Sequence, residues 1–145
     1  MEQTIETRHR SLIIVWFALL MSIIMYFILT LLAGAKINIS LSSSESWFAV
    51  GLTIAGMILI LVSFVVKGKF LRRSVDEQSV ALVHSGHVVA WALCEACALF
   101  GVLECFSVGY RYYYGLMLLG FFGIAIHFPR RDYLVAATFK ESNKI

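Results

Sequence analysis

The sequence predicts an all-α protein built as a four-helix transmembrane bundle, and two observations carry that prediction: its composition and its apolar runs. Of its 145 residues, 60% are hydrophobic and only 14% are charged, whereas about a quarter of the residues in a soluble domain are charged. Four apolar runs are each long enough, the last only just, to form a helix across a hydrocarbon core of about 30 Å. Because lipid offers no water to the backbone, such runs must satisfy their own hydrogen bonds, which predicts helices.

A single membrane domain of residues 1–145 contains the four predicted spans, which cover 11–34, 47–66, 80–105 and 112–128. The first and second spans contain no charged residue. The third is interrupted by four titratable residues, His84, His87, Glu95 and Glu104. The fourth ends before Pro129, because proline cannot continue the hydrogen-bond ladder of a helix.

The distribution of positive charge predicts the direction of the spans. Ten of the twelve Lys and Arg residues fall in the N-terminal tail, the second loop and the C-terminal segment. The other two, Lys36 and Arg111, fall in the first and third loops. Since cytoplasmic loops carry an excess of Lys and Arg, we expect both termini and a basic loop at 67–78 to be cytoplasmic. The membrane is taken to be of the bacterial inner-membrane type.

The N-terminal segment has an alternative interpretation as a signal peptide. Arg8 and Arg10 precede the first apolar run, and Ala33-Gly34-Ala35 follows it as a small-residue cleavage site. The apolar run is about 20 residues long, whereas the apolar region of a signal peptide has about 7–15. Length therefore favours a retained first span.

Glu95 is the most informative residue, because it falls near the middle of the third apolar run. A carboxyl group at that depth in a membrane is costly and rare, so it is a functional-site hypothesis by default. Removal from water favours the protonated form, which predicts that Glu95 binds a proton. Glu104 is expected to be a solvated helix end near the outer interface. Small residues around Glu95 are predicted to let a neighbouring helix pack closely, namely Ala92, Ala96, Cys97, Ala98 and Gly101.

The stretch from Ala92 to Val102 reads Ala-Leu-Cys-Glu-Ala-Cys-Ala-Leu-Phe-Gly-Val. It resembles the ion-carrying helix of the proteolipid (c or K) subunits of rotary ATP synthases and ATPases, in which a Glu is followed by small residues, an aromatic residue and a Gly. The resemblance is divergent and limited to this helix. It implies that Glu95 carries the transported proton or sodium ion, and that the second and third spans form a hairpin around a basic cytoplasmic loop.

Together these observations predict a small, non-enzymatic membrane component that binds a proton at Glu95, within an oligomer or a larger membrane complex. The alternative is an accessory or assembly subunit in which Glu95 only links helices through hydrogen bonds. The sequence shows no arrangement for nucleophilic catalysis, no phosphate-binding glycine loop and no nucleic-acid module. The expected partners are the lipid bilayer and membrane subunits, either further copies of this chain or other proteins.

The histidines and cysteines allow further hypotheses. His84 lies eleven residues before Glu95, on nearly the same helix face about 16 Å away, which makes it a candidate for a proton route; an interfacial histidine is the simpler interpretation. His87 and His127 on facing helices are candidate ligands for haem b or a metal, as in a small b-type cytochrome, although interfacial histidines need no cofactor. Cys94 and Cys97 are interpreted as small buried hydrophobes.

Overall fold

The structure is a computed structural model that describes residues 2–33, 43–107 and 112–138, with side chains over 6–33, 47–107 and 112–138. Every regular element in these ranges is a helix, as the sequence predicts. The elements are α1 (Glu2–Leu32), α2 (Ser43–Asp76), α3 (Val80–Ser107), α4 (Tyr113–Ile126) and α5 (Arg131–Ala136). Outside the described residues lie Gly34, Ala35, the predicted outer-loop residues Lys36 and Arg111, and the tail with Lys140 and Lys144.

Three segments within these helices are long and apolar enough to cross a membrane: Glu6–Leu32, Trp47–Asp76 and Val80–Ser107. This is consistent with a multi-pass integral membrane protein. The remaining apolar helix, α4, has 14 residues, which gives a length of about 21 Å at 1.5 Å per residue. It is shorter than a hydrocarbon core of about 30 Å, so helix length supports three spans and the fourth stays a prediction.

Helix α2 continues well beyond the predicted second span. The prediction of a basic loop at 67–78 is wrong, because the helix runs to Asp76. Hydropathy marks where a helix leaves lipid rather than where it ends, and Lys and Arg are good helix formers. The end of α2 is supported by an ion pair between Arg73 Nε and Glu77 Oε1, 2.6 Å apart. The chain then turns at Gln78, whose φ is 49°.

Helix α3 lies at the centre of the bundle and packs against the other four helices. It runs antiparallel to α2, since Thr53 contacts Glu104 near one end and Phe70 lies against Gly86 near the other. It also runs antiparallel to α4. Helix α1 begins beside the end of α4, where the His9 ring lies 3.1 Å from the backbone O of Pro129, so α1 runs parallel to α3.

These directions bring the start of α1, the end of α2, the start of α3 and the end of α4 to one end of the bundle, called here the basic end. All eight Lys and Arg residues whose side chains are described lie toward it: Arg8, Arg10, Lys67, Lys69, Arg72, Arg73, Arg130 and Arg131. The helix packing therefore collects charges that are separated in sequence.

Glycine allows α3 and α4 to approach closely. A Cβ at Gly120 would lie 2.6 Å from the backbone O of Cys94, and a Cβ at Gly101 would lie 2.7 Å from the backbone O of Tyr113. Both distances are shorter than any ordinary Cβ contact. Small residues that let backbones approach are the common packing device between helices in lipid.

Two indole groups bind carbonyls at the end of α4. Trp16 Nε1 donates to the backbone O of Ile124 at 2.8 Å, and Trp91 Nε1 donates to that of His127 at 3.0 Å. The last carbonyls of a helix lack the usual partner within the helix. The Trp91 indole supplies one to His127 O, whereas Ile124 O also accepts the backbone N–H of His127 at 3.1 Å. Helix α5 then packs over the basic end on α1 and α3, with Leu134 buried.

Candidate functional site around Glu95

Glu95 lies on the side of α3 that faces α1. Its Oε1 atom lies 2.8 Å from Ser22 Oγ and 3.1 Å from the Tyr26 hydroxyl. Ser22 and Tyr26 are four residues apart, so they share one face of α1. The Glu95 side chain is half-buried, and through these two contacts it joins α1 to the central helix.

The hydroxyl hydrogen of Ser22 has two acceptors within reach. Its Oγ atom also lies 2.8 Å from the backbone O of Leu19, a common local acceptor for a serine inside a helix. A hydroxyl carries one hydrogen and two acceptor lone pairs. When that hydrogen is given to Leu19, the contact between Ser22 and Glu95 is a hydrogen bond only if a protonated carboxyl donates to Ser22 Oγ. With an ionised carboxyl, Ser22 and Tyr26 both donate to Glu95 Oε1 instead.

The five small residues assigned to helix packing lie on different sides of α3. Cys97, Ala98 and Gly101 are buried against α2 and α4. Ala96 is partly buried, whereas Ala92 is exposed. The small-residue surface of α3 thus faces α2 and α4, and α1 reaches the neighbouring side of the helix through hydroxyl side chains.

A second carboxyl, that of Glu104, is buried between α3 and α2. The expectation of a solvated helix end is wrong, because the side chain is 1% exposed. Thr53 Oγ1 lies 3.1 Å from Glu104 Oε1 and 3.0 Å from the backbone O of Ala49. As at Ser22, one hydroxyl hydrogen has two acceptors within reach. If Glu104 is protonated and donates to Thr53 Oγ1, Thr53 can give its own hydrogen to Ala49 O, and both contacts are hydrogen bonds. The available sequence signal was Thr53 itself, one of few polar residues in the second span.

His84 lies at the basic end, in a pocket between α1 and α3. The pocket is three helical turns, or about 16 Å, from the level of Glu95. Val15 and Val88 occupy the same helix faces between the two levels, and both pack against the apolar core. A proton route past His84 therefore stays a prediction, and it requires these apolar side chains to admit water.

His87 and His127 are both buried at the basic end of the bundle. His87 Nδ1 lies 2.9 Å from the backbone O of Val83, and its Nε2 atom has no hydrogen-bond partner among the described residues. His127 Nε2 lies 3.0 Å from Ser63 Oγ. Its ring packs edge-on against Phe64, so binding iron would require His127 to leave Ser63.

The three cysteines are free thiols and all are buried. Cys94 Sγ lies 3.5 Å from Ser63 Oγ, and Cys97 Sγ lies 3.7 Å from the backbone O of Leu116. Within the described ranges, no group of three or more His, Cys, Asp or Glu side chains is placed to hold a metal ion. The thiols thus occupy the interfaces of α3 with α2 and α4.

Comparison with known proteins gives no relative for this chain. No protein-family model matches it, and neither a curated protein nor a solved structure does so. The function is therefore argued from the residues and their geometry.

Proposed function

We propose that this protein is a non-enzymatic, four-span membrane protein in which Glu95 binds and releases a proton, as a component of an oligomer or a larger membrane complex. The observation that supports the proposal is the 2.8 Å contact between Ser22 Oγ and Glu95 Oε1, made by a serine that already has Leu19 O as an acceptor. A protonated carboxyl completes this arrangement, whereas an ionised one leaves it one hydrogen short.

Loss of the proton has a direct consequence for α1. An ionised Glu95 accepts hydrogen bonds and donates none, so Ser22 has to turn its hydrogen from Leu19 O to the carboxylate. A charge surrounded by apolar groups also has to gain water or a cation, because it is costly to leave unpaired. Proton release at Glu95 is therefore coupled to the contact that holds α1 on α3.

The position of Glu95 at the edge of the bundle supports a role in contact with a partner. Ala92 and Leu99 flank it on its own face of α3, three residues before and four residues after, and both are exposed. A neighbouring membrane subunit can thus reach the half-buried carboxyl from the lipid side. The basic end of the bundle supports the proposed orientation, with both termini in the cytoplasm.

Carbodiimide labelling tests this proposal, because dicyclohexylcarbodiimide reacts with protonated carboxyls in apolar sites. In native membranes we expect a modification mapped to Glu95 by mass spectrometry, declining as the pH rises. Glu77 is an internal control, since it is ion-paired with Arg73 at the exposed end of α2. The Glu95→Gln variant should lack the label and keep the fold, because an amide can also donate to Ser22.

The proposal fails if Glu95 shows no pH-dependent labelling and Glu95→Gln behaves as wild type when proton flux is measured in liposomes. The accessory-subunit hypothesis then takes its place, supported by the two hydroxyls of α1 that converge on Glu95. It predicts tight co-purification with larger membrane subunits in mild detergent and no proton flux from the isolated protein.

A further inference from the structure

A pocket opens between α1 and α3 at the basic end, well separated from Glu95. It has a volume of about 350 Å³ and is lined by Arg8, Ser11, Ala81, His84 and Ser85. None of these lining residues carries a carboxylate. The residues that border it carry one guanidinium, two hydroxyls and one imidazole, all of which can donate hydrogen bonds to an anion.

The Arg8 guanidinium is free to bind a ligand in this pocket. Among the residues with described side chains, Arg73 and Glu77 form the one salt bridge, and Arg8 makes no ion pair. Arg8 is exposed at the start of α1, and a guanidinium carries five N–H donors. Ala81 lies in the first turn of α3, where unpaired backbone N–H groups add partial positive charge.

The level of the pocket along the bundle identifies the source of the anion. Ser11 lies eleven residues before Ser22 in α1, and His84 lies eleven residues before Glu95 in α3. Because the two helices are parallel, the pocket lies about 16 Å along the bundle from the level of Glu95, which is taken as mid-membrane. That distance is about half of a hydrocarbon core of about 30 Å. With Glu95 at mid-membrane, as in the proposed function on which this step rests, the pocket lies at the depth of the lipid headgroups, on the side with the other basic residues.

We infer that this pocket binds the phosphate of an anionic phospholipid headgroup. Arg8 pairs with two phosphate oxygens in the bidentate geometry that guanidinium favours, and the Ser11 and Ser85 hydroxyls donate to the remaining oxygens. His84 closes the pocket on the side of α3. Basic pockets between membrane helices at the cytoplasmic face are a recognised kind of lipid site, and a bound headgroup here would link α1 to α3 independently of Glu95.

The test uses the full-length protein, purified in detergent and freed of lipid, with its thermal unfolding followed as one lipid or salt at a time is added. The additions are dioleoylphosphatidylglycerol, dioleoylphosphatidylcholine and inorganic phosphate. We expect saturable stabilisation by phosphatidylglycerol and an apparent affinity about tenfold weaker in Arg8→Gln, as for loss of a charge-assisted hydrogen bond. Arg10→Gln is the matched control, because Arg10 is exposed on the same helix but does not line the pocket.

Four outcomes separate the possibilities. Stabilisation by phosphatidylglycerol that depends on Arg8 and not on Arg10 supports the lipid site, and Ser85→Ala should weaken it further. Stabilisation by inorganic phosphate with the same dependence keeps the phosphate site and assigns it to a soluble anion. Equal effects of Arg8→Gln and Arg10→Gln, in variants that unfold at the wild-type temperature without lipid, overturn the inference, as does the absence of any saturable effect.

Discussion

Ser22 Oγ of α1 and Glu95 Oε1 of α3 lie 2.8 Å apart, and their contact links α1 to the central helix of the bundle. Helix α1 packs mainly against α3, α4 and α5, and most of its large apolar side chains remain exposed. Leu12, Leu20 and Ile23 are buried in the bundle, and the contact at Glu95 adds a polar link to this apolar packing. The same contact makes Glu95 part of the interface between α1 and α3.

Removing the Glu95 carboxyl should loosen α1. We expect Glu95→Ala to lower the free energy of unfolding by about 1 kcal/mol, the usual size of a hydrogen bond between membrane helices. Glu95→Gln should cost less, because the amide keeps a donor for Ser22 and an acceptor for Tyr26. Unfolding in a mixed-detergent titration measures both values, and equal losses in the two variants would contradict the hydrogen-bond argument.

The proton proposed at Glu95, and a matching one at Glu104, can be tested by infrared spectroscopy. Glu95 and Glu104 each contact a hydroxyl that has a backbone carbonyl as its other acceptor. Infrared spectra of the protein in lipid should therefore show the carbonyl band of protonated carboxyl groups, with part of it lost in Glu95→Gln and another part in Glu104→Gln. An unchanged band in either variant would show that the carboxyl in question is ionised.

The α3–α4 contact should not tolerate a methyl group at Gly120. Because the new Cβ would lie 2.6 Å from the backbone O of Cys94, Gly120→Ala has to push the helices apart, at a cost of about 1–3 kcal/mol. Gly115→Ala on the same helix is the control, since a Cβ there has nothing within 4 Å. Thermal unfolding of the two variants in one detergent gives the comparison, and similar midpoints would refute the close packing.

The orientation of the bundle can be read from added cysteines. The three native thiols are buried, so they should stay unlabelled by a membrane-impermeant maleimide in intact cells. Asp76→Cys places an exposed thiol at the end of α2, and Ser107→Cys places one at the end of α3. Because the two helices are antiparallel, these thiols lie at opposite ends of the bundle. With the basic end in the cytoplasm, only Ser107→Cys should react before the cells are opened, and the reverse result would invert the proposed topology.

Hydropathy was sufficient to locate the four apolar helices, but not all of their ends and not the short helix α5. The third predicted span, 80–105, nearly coincides with α3, because the chain turns sharply just before Val80 and the apolar run begins at Val80. Helix α2 instead runs about ten residues past its predicted span to Asp76, since charged residues end a membrane segment without ending a helix. Helix α4, with 14 residues, is likewise shorter than its predicted span of 112–128, because the apolar run continues past the residue at which the helix ends.

The sequence by itself determined that this is a helical membrane protein with one carboxyl deep in its third apolar run, because both facts follow from the order of polar and apolar residues along the chain. Only the tertiary structure decided which side chains meet that carboxyl. It placed Ser22 and Tyr26 against Glu95 and buried Glu104 beside Thr53. Which helices are neighbours, and how each is rotated, depends on packing between segments distant in sequence, and a local pattern of residues does not encode that packing.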